Sequence, residues 1–156
     1  MGGDPELSFA VEPADTGASL ALQEAFFADI AARYPGWDPS RSQSADPSDL
    51  APPRGAWIVA YLDGRPVGCG GLKAIDGGAG EIRRVYLDES ARGRGIGRAL
   101  LEELEAQARR LGYDRVRLTT ADRQPEALGL FRSSGYVEIP AFNDNAFTRH
   151  WLEKPL

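Results

Sequence analysis

The sequence predicts one α/β domain, a mixed sheet with helices against it, and three observations carry that reading. Short apolar runs bounded by Gly, Pro and Asp recur along the chain. They alternate in the second half with two segments of helical periodicity. The early runs are joined by tight turns, whereas the late ones form a strand–helix–strand unit, so the sheet should be mixed. A chain of 156 residues suffices for one core. The domain is expected to fill 1–156, with its core over about 7–153.

Each element has a local cause. Residues 7–12 (LSFAVE) read as a first strand. Asp15 or Thr16 can cap a helix over about 17–33, with Leu20, Leu22, Phe26 and Ile30 near helical spacing. Residues 35–55 are rich in Pro, Ser and Asp and form a long loop of the kind that often carries function. AWIVAYL (56–62), the DGR turn and PVGCGGLKA (66–74) make a hairpin. EIRRVYL (81–87) follows as a strand whose alternation places Glu81, Arg83, Val85 and Leu87 on one face. Ile96, Leu100, Leu104, Ala108 and Leu111 line one side of a helix over 95–111, and Gly112 stops it. RVRLTT (115–120) is a strand, 124–134 a helix opened by Gln124-Pro125, YVEI (136–139) a short strand and FTRHWLE (147–153) the last one.

Composition narrows the function classes. Hydrophobic residues make up 42% and charged residues 26%, the balance of an ordinary soluble domain, and no apolar run is long enough for a membrane span. The start MGGDPELSF has neither a basic nor an apolar region of the signal-peptide kind, so a cytoplasmic location is expected. One cysteine and one histidine leave no internal disulfide and no histidine- or cysteine-rich metal site. The net charge of −5 argues against a nucleic-acid partner. Basic residues nevertheless concentrate in 83–98 and 109–117; the first cluster suits a small anionic ligand, the second a solvated helix face.

The densest cationic stretch is RGRGIGR (92–98), with three arginines and three glycines directly before the amphipathic helix. A helix start exposes unpaired N–H groups and partial positive charge. Glycine lets a ligand approach that backbone, and arginine adds forked donors. Together they make a phosphate site. The run fits neither the GxxxxGK[ST] loop nor GxGxxG, since Arg98 stands where a third glycine belongs.

RGRGIG resembles the [QR]-x-x-G-x-[GA] signature of the GCN5-related N-acetyltransferases, through Arg92, Gly95 and Gly97. The preceding EIRRVYL and the late ALGLFRSSGYVEI resemble that family too. The resemblance implies the acyl-CoA N-acyltransferase fold, a mostly antiparallel sheet splayed between two parallel strands, here 81–87 and 115–120, with helices on both faces. It implies an acetyl-CoA-dependent N-acetyltransferase acting on a primary amine of a small molecule or peptide by direct transfer. The pyrophosphate would sit on Arg92, Gly93, Arg94, Gly95, Ile96, Gly97 and Arg98, the pantetheine along Val85, Tyr86 and Leu87, and Gln124 would touch the cofactor. Glu81, eleven positions before Arg92, matches the glutamate base of one branch, with pairing to Arg83 as the alternative. At the family's usual tyrosine acid stands Phe131, which has no proton to give. Tyr136 is a substitute acid or a core aromatic, and solvent is a third source. That departure keeps open a non-catalytic acyl-CoA-binding sensor. Cys69 reads as a small buried residue, and His150 as structural. Trp37, Tyr34, Arg41 and 142–145 could line an acceptor pocket or simply pack. The last strand, with Phe147 and Trp151, could pair across a homodimer or cover the core.

Overall fold

A computed structural model of the chain describes residues 6–38, 46–75, 77–120, 125–144 and 148–156. The elements run β1 (Leu7–Val11), α1 (Gly17–Arg33), β2 (Ala56–Leu62), β3 (Arg65–Ala74), β4 (Gly80–Leu87), a 3-10 turn (Glu89–Ala91), α2 (Ile96–Arg110), β5 (Arg115–Thr120), α3 (Pro125–Ser133), β6 (Val137–Glu138) and β7 (His150–Pro155). They form one seven-stranded sheet in the order β1-β2-β3-β4-β5-β7-β6. β1 to β4 are antiparallel neighbours. β4 and β5 are parallel and pair only at Gly80–Val116 and Glu81–Arg117, after which they part. β7 lies antiparallel to β5 on one edge and pairs with β6 on the other.

The central strands β2 and β3 are buried on both faces, so both faces of the sheet need cover there. β2 divides its side chains between them: Ala56 and Ile58 pack with α2, whereas Trp57 and Val59 join Leu22 of α1. The α2 face is the larger core, with Leu72, Ile82, Leu100, Leu101, Leu104, Val116, Leu118 and Leu152 fully or almost fully buried, and Phe131 of α3 closing it. Thr16, rather than Asp15, caps α1, its hydroxyl accepting from the Ser19 N–H at 3.2 Å. Leu20 points to solvent at 53% exposure, contrary to the apolar stripe expected there. Ser19 and Gln23 are buried instead. Their side chains donate to the carbonyls of Pro13 and Ala14, at 2.9 and 2.7 Å, which ties the helix start to the chain after β1.

Strand alternation fails in β4. Cys69 faces Tyr86 while Gly71 faces Arg83, so β4 carries one residue more than β3 across that interval, and Arg84 there has φ +54°. This is a bulge. Val85 packs with the α2-face core and Leu87 with Ile96, on the side of Ile82. Glu81 and Arg83 therefore do not share a face with Val85 and Leu87, which corrects the simple period-two reading. The last strand also begins later than expected, at His150, with Thr148 and Arg149 outside it.

Gly55 sits just before β2, where the backbone of 49–51 and of β3 at Leu72 close in on it. A Cβ there would lie 2.2 Å from Asp49 O and 2.6 Å from Leu72 O, both backbone atoms with little freedom to yield. Gly55→Ala is expected to lower the unfolding free energy by about 1–3 kcal/mol or more. Gly17→Ala, where a Cβ meets nothing within 4 Å, should raise it by roughly 0.5 kcal/mol. Urea denaturation of both variants checks the pair.

Candidate functional site

Where β4 and β5 part, a cleft of about 460 Å³ opens between α1, the start of α2 and α3. Val85, Tyr86 and Leu87 form one wall, Arg92, Gly93, Gly95, Gly97 and Arg98 its cationic end, and Ala127, Leu130 and Phe131 of α3 the opposite wall. Eight of the residues expected from sequence thus come together. Arg94 is exposed and outside the lining, and Ile96 is buried in the core with Ala60, Leu62, Val67 and Ala91. Gln124 lies outside the described residues.

The cationic end is built by backbone. Gly95 caps α2 with φ +78° and no side-chain cap, and the first hydrogen bond at that end runs from Ala99 N–H to Gly95 O at 3.2 Å. The N–H groups before Ala99 point out of the helix start without an intrahelical partner. Gly93 has φ +77°, and a Cβ at either glycine would meet no atom within 4 Å, so both leave space over the helix start. Arg92 Nε donates to Leu87 O at 2.9 Å, bracing the loop against the end of β4. Arg98 donates to Ser133 O and Oγ, at 3.3 and 3.0 Å, joining α2 to α3. An apolar groove ending in fixed cations and free N–H groups suits a long ligand with an apolar or amide arm and a phosphate end. These are the demands of coenzyme A.

Part of the lining carries no sequence motif. Phe26, Asp29 and Arg33 of α1 border the cleft with Glu126 of α3. Arg33 bonds Asp29 Oδ2 and Glu126 Oε2, each at 3.3 Å, across 93 residues of sequence in the second case. The i,i+4 spacing of Asp29 and Arg33 is visible in the sequence, but the meeting of Arg33 with Glu126 is not.

The candidate acid–base residues lie off the lining. Glu81 is 4% exposed, and its Oε1 accepts from Arg83 Nη1 at 3.0 Å. It stands at the last paired position before β4 and β5 separate, opposite Lys73 of β3. Tyr136 is 2% exposed, edge-on to Phe131 at 6.0 Å, and donates its hydroxyl to Glu105 Oε2 at 2.9 Å. Burial, then the Glu105 carboxylate, pushes its phenol well above the ordinary range. Lys154 holds the other Glu105 oxygen at 2.9 Å. The Tyr136 proton thus serves a buried network between α2, β7 and the end of α3. Cys69 is fully buried, and desolvation pushes its thiol up to about 12, which leaves no thiolate near neutrality. His150 Nδ1 lies 2.9 Å from Glu138 Oε1. Trp37 stacks on Phe27 at 5.8 Å, and Phe142 lies under Arg117 at 5.5 Å. Arg41, Asn145 and Phe147 lie outside the described residues.

Removing the Tyr136 hydroxyl would leave Glu105 with one buried oxygen unmatched. Tyr136→Phe is expected to cost about 1–3 kcal/mol of stability, with CoA affinity unchanged. Denaturation and calorimetry on the same preparation check both halves.

Residues 22–136 match the family model described as the acetyltransferase (GNAT) family. An IAA acetyltransferase of Azospirillum brasilense is 39% identical over 99 residues, which are 62% of this chain and 64% of that protein's length. The chain also superposes on a protein of Klebsiella pneumoniae assigned as an acyl-CoA N-acyltransferase, with TM-score 0.79 and 28% identity, over 96% of this chain and 97% of the other. A GNAT acetyltransferase of Elizabethkingia anophelis solved with acetyl-CoA bound shares the fold at TM-score 0.68 and 17% identity, over 96% and 98% of the two chains. With its splayed sheet, its glycine–arginine loop at the start of α2 and a family match covering most of its length, the chain belongs to the GNAT acetyltransferase family.

Proposed function

We propose that the protein is an N-acetyltransferase that uses acetyl-CoA to acetylate the primary amine of a small molecule or peptide by direct transfer. The observation that supports this reading best is the cleft itself, an apolar groove between parted strands that ends on the uncapped, cationic start of α2. Acetyl-CoA bound there supplies an acetyl thioester whose C–S bond breaks as the amine nitrogen forms the new C–N bond.

The chain's residues divide the remaining work. Arg92, Arg98 and the N–H groups of 93–98 hold the phosphate end, and the edge of β4 at Val85, Tyr86 and Leu87, beyond its pairing with β5, offers backbone groups to an amide-bearing arm. Leu100, Leu130 and Phe131 keep the groove apolar, which excludes water from the reacting end. Glu81, at the point of parting, takes the proton from the amine through an intervening water. Phe131 offers no proton to the leaving sulfur, so solvent supplies it, a modest demand for a thiol whose ordinary pKa is about 8.5.

Thiol release from acetyl-CoA across a panel of amines tests the reading; CoA binding without release for any amine would instead support a sensor. Gly95→Asp places a carboxylate and a strained side chain where phosphate belongs, and calorimetry should find CoA affinity lost while the fold persists. Unchanged affinity would remove the loop from the site. Glu81→Gln should lower turnover roughly 10²–10⁴-fold at neutral pH with CoA affinity intact. The deficit should shrink as pH rises toward the pKa of the amine, which then loses its proton unaided. Equal activity at every pH would exclude Glu81 as the base.

A further inference from the structure

Arg84 carries a charge that the described carboxylates leave unmatched. It occupies the bulge of β4, one position before Val85 of the cleft wall. The bulge turns its side chain toward α1. There the guanidinium lies 5.1 Å from the centre of the Phe27 ring, and Nη1 donates to Gln23 Oε1 at 2.6 Å. Gln23 is itself held, its Nε2 donating to Ala14 O at 2.7 Å and to Ser19 O at 3.2 Å. Phe27 stacks in turn on Trp37. The guanidinium is thus fixed in place by neutral groups.

Its electrostatic surroundings are unusual for a half-buried arginine. Among the described residues it makes no ion pair, and Asp46 acts on it only through space. The neighbouring Arg83 adds a like charge, and burial and that charge together lower the Arg84 pKa. Glu81 is committed to Arg83 at 3.0 Å. Among the described residues, the Arg84 charge therefore has no carboxylate of its own beside the point where the strands part. A guanidinium has five donors in a planar fork, and one neutral acceptor satisfies few of them. A buried charge of this kind is costly unless an anion completes it. One planar cation matches one carboxylate through two parallel hydrogen bonds.

We propose that Arg84 binds the carboxylate of the acceptor, so that the acceptor is a small molecule carrying both a primary amine and a carboxylate, an amino acid or its close analogue. The molecule sits on the α1 side of the bulge, with its carboxylate on Arg84 and its amine directed to the parting of β4 and β5. Phe27, itself stacked on Trp37, covers one face of the guanidinium and leaves its edge to the carboxylate. This assignment rests on the acetyl-transfer reading and names the substrate class of that same site.

The test uses matched pairs that differ only in the α-carboxylate: tryptophan and tryptamine, phenylalanine and phenethylamine, arginine and agmatine, ornithine and putrescine. Thiol release from acetyl-CoA is measured for the wild type, Arg84→Gln and Arg84→Lys. The wild type is expected to favour the carboxylated member by about 10–100-fold in kcat/KM, the range of one charge-assisted interaction. Arg84→Gln should abolish that preference chiefly through KM, leaving the decarboxylated member and CoA affinity unchanged, and Arg84→Lys should restore part of it. A wild-type preference for the decarboxylated amines overturns the proposal without recourse to any variant. Equal losses for both members in Arg84→Gln overturn it as well, since a merely structural arginine would act that way. Turnover of no pair with CoA binding intact counts against acetyl transfer, and the carboxylate site is then read by calorimetry on CoA-saturated protein. Heat from tryptophan, phenylalanine, arginine or ornithine that Arg84→Gln removes supports the site, and no heat from any of them at millimolar concentration overturns it.

Discussion

β4 and β5 share two parallel residue pairs and then separate, and the rest of the molecule is arranged around that separation. A sheet that opens strands backbone N–H and C=O groups that would otherwise be paired, and such groups need partners. The chain handles the opening in two ways. It bulges β4 at Arg84, which redirects Val85 and Leu87 to the α2 face, and it sets the start of α2 at the wide end. The residues beyond the last pair, Val85, Tyr86 and Leu87, line the cleft. What would be a defect in an ordinary sheet is here the cleft.

The walls of the cleft are held by contacts between elements distant in sequence. Arg98 joins α2 to the end of α3 through Ser133, and Arg33 joins the last turn of α1 to the first turn of α3 through Glu126. Arg92 fastens the glycine loop to the end of β4. Each is modest alone, because exposed ion pairs contribute little. Their value is geometric: they fix the distance between the glycine–arginine loop and the walls, which glycine by itself would leave loose.

Beneath the cleft lies a buried polar network of Glu105, Tyr136 and Lys154. A carboxylate 3% exposed is tolerable because both oxygens are occupied, one by a phenol and one by an ammonium. The network pins α2 to β7 and to Tyr136, three residues beyond the end of α3, beside Phe131. Phe131 is thus apolar on the cleft side and packed against Tyr136 on the other, so the aromatic pair of this segment serves packing at both positions. In the proposed reaction the sulfur then takes its proton from solvent.

Local pattern determined much of this protein. The helices, the hairpin of β2 and β3, and the glycine–arginine loop all follow from spacing and turn residues near one another in the chain: Thr16 before α1, Asp63-Gly64 between strands, Gly95 at the start of α2. The residues of the cationic end of the cleft were legible for the same reason, since a helix start and its preceding loop are one local unit. Tertiary structure decided what depends on register and on distant partners. The extra residue in β4 is visible only against β3, so alternation alone assigned Val85 and Leu87 to the wrong face. Leu20 looked like core but lies outward, because hydrogen bonds to Pro13 and Ala14 turned Ser19 and Gln23 inward. Arg33 meets Glu126, and Arg84 meets Phe27 and Gln23, across 93, 57 and 61 residues. A charge left unmatched is a property of everything around it, and the chain has to fold before anything is around it.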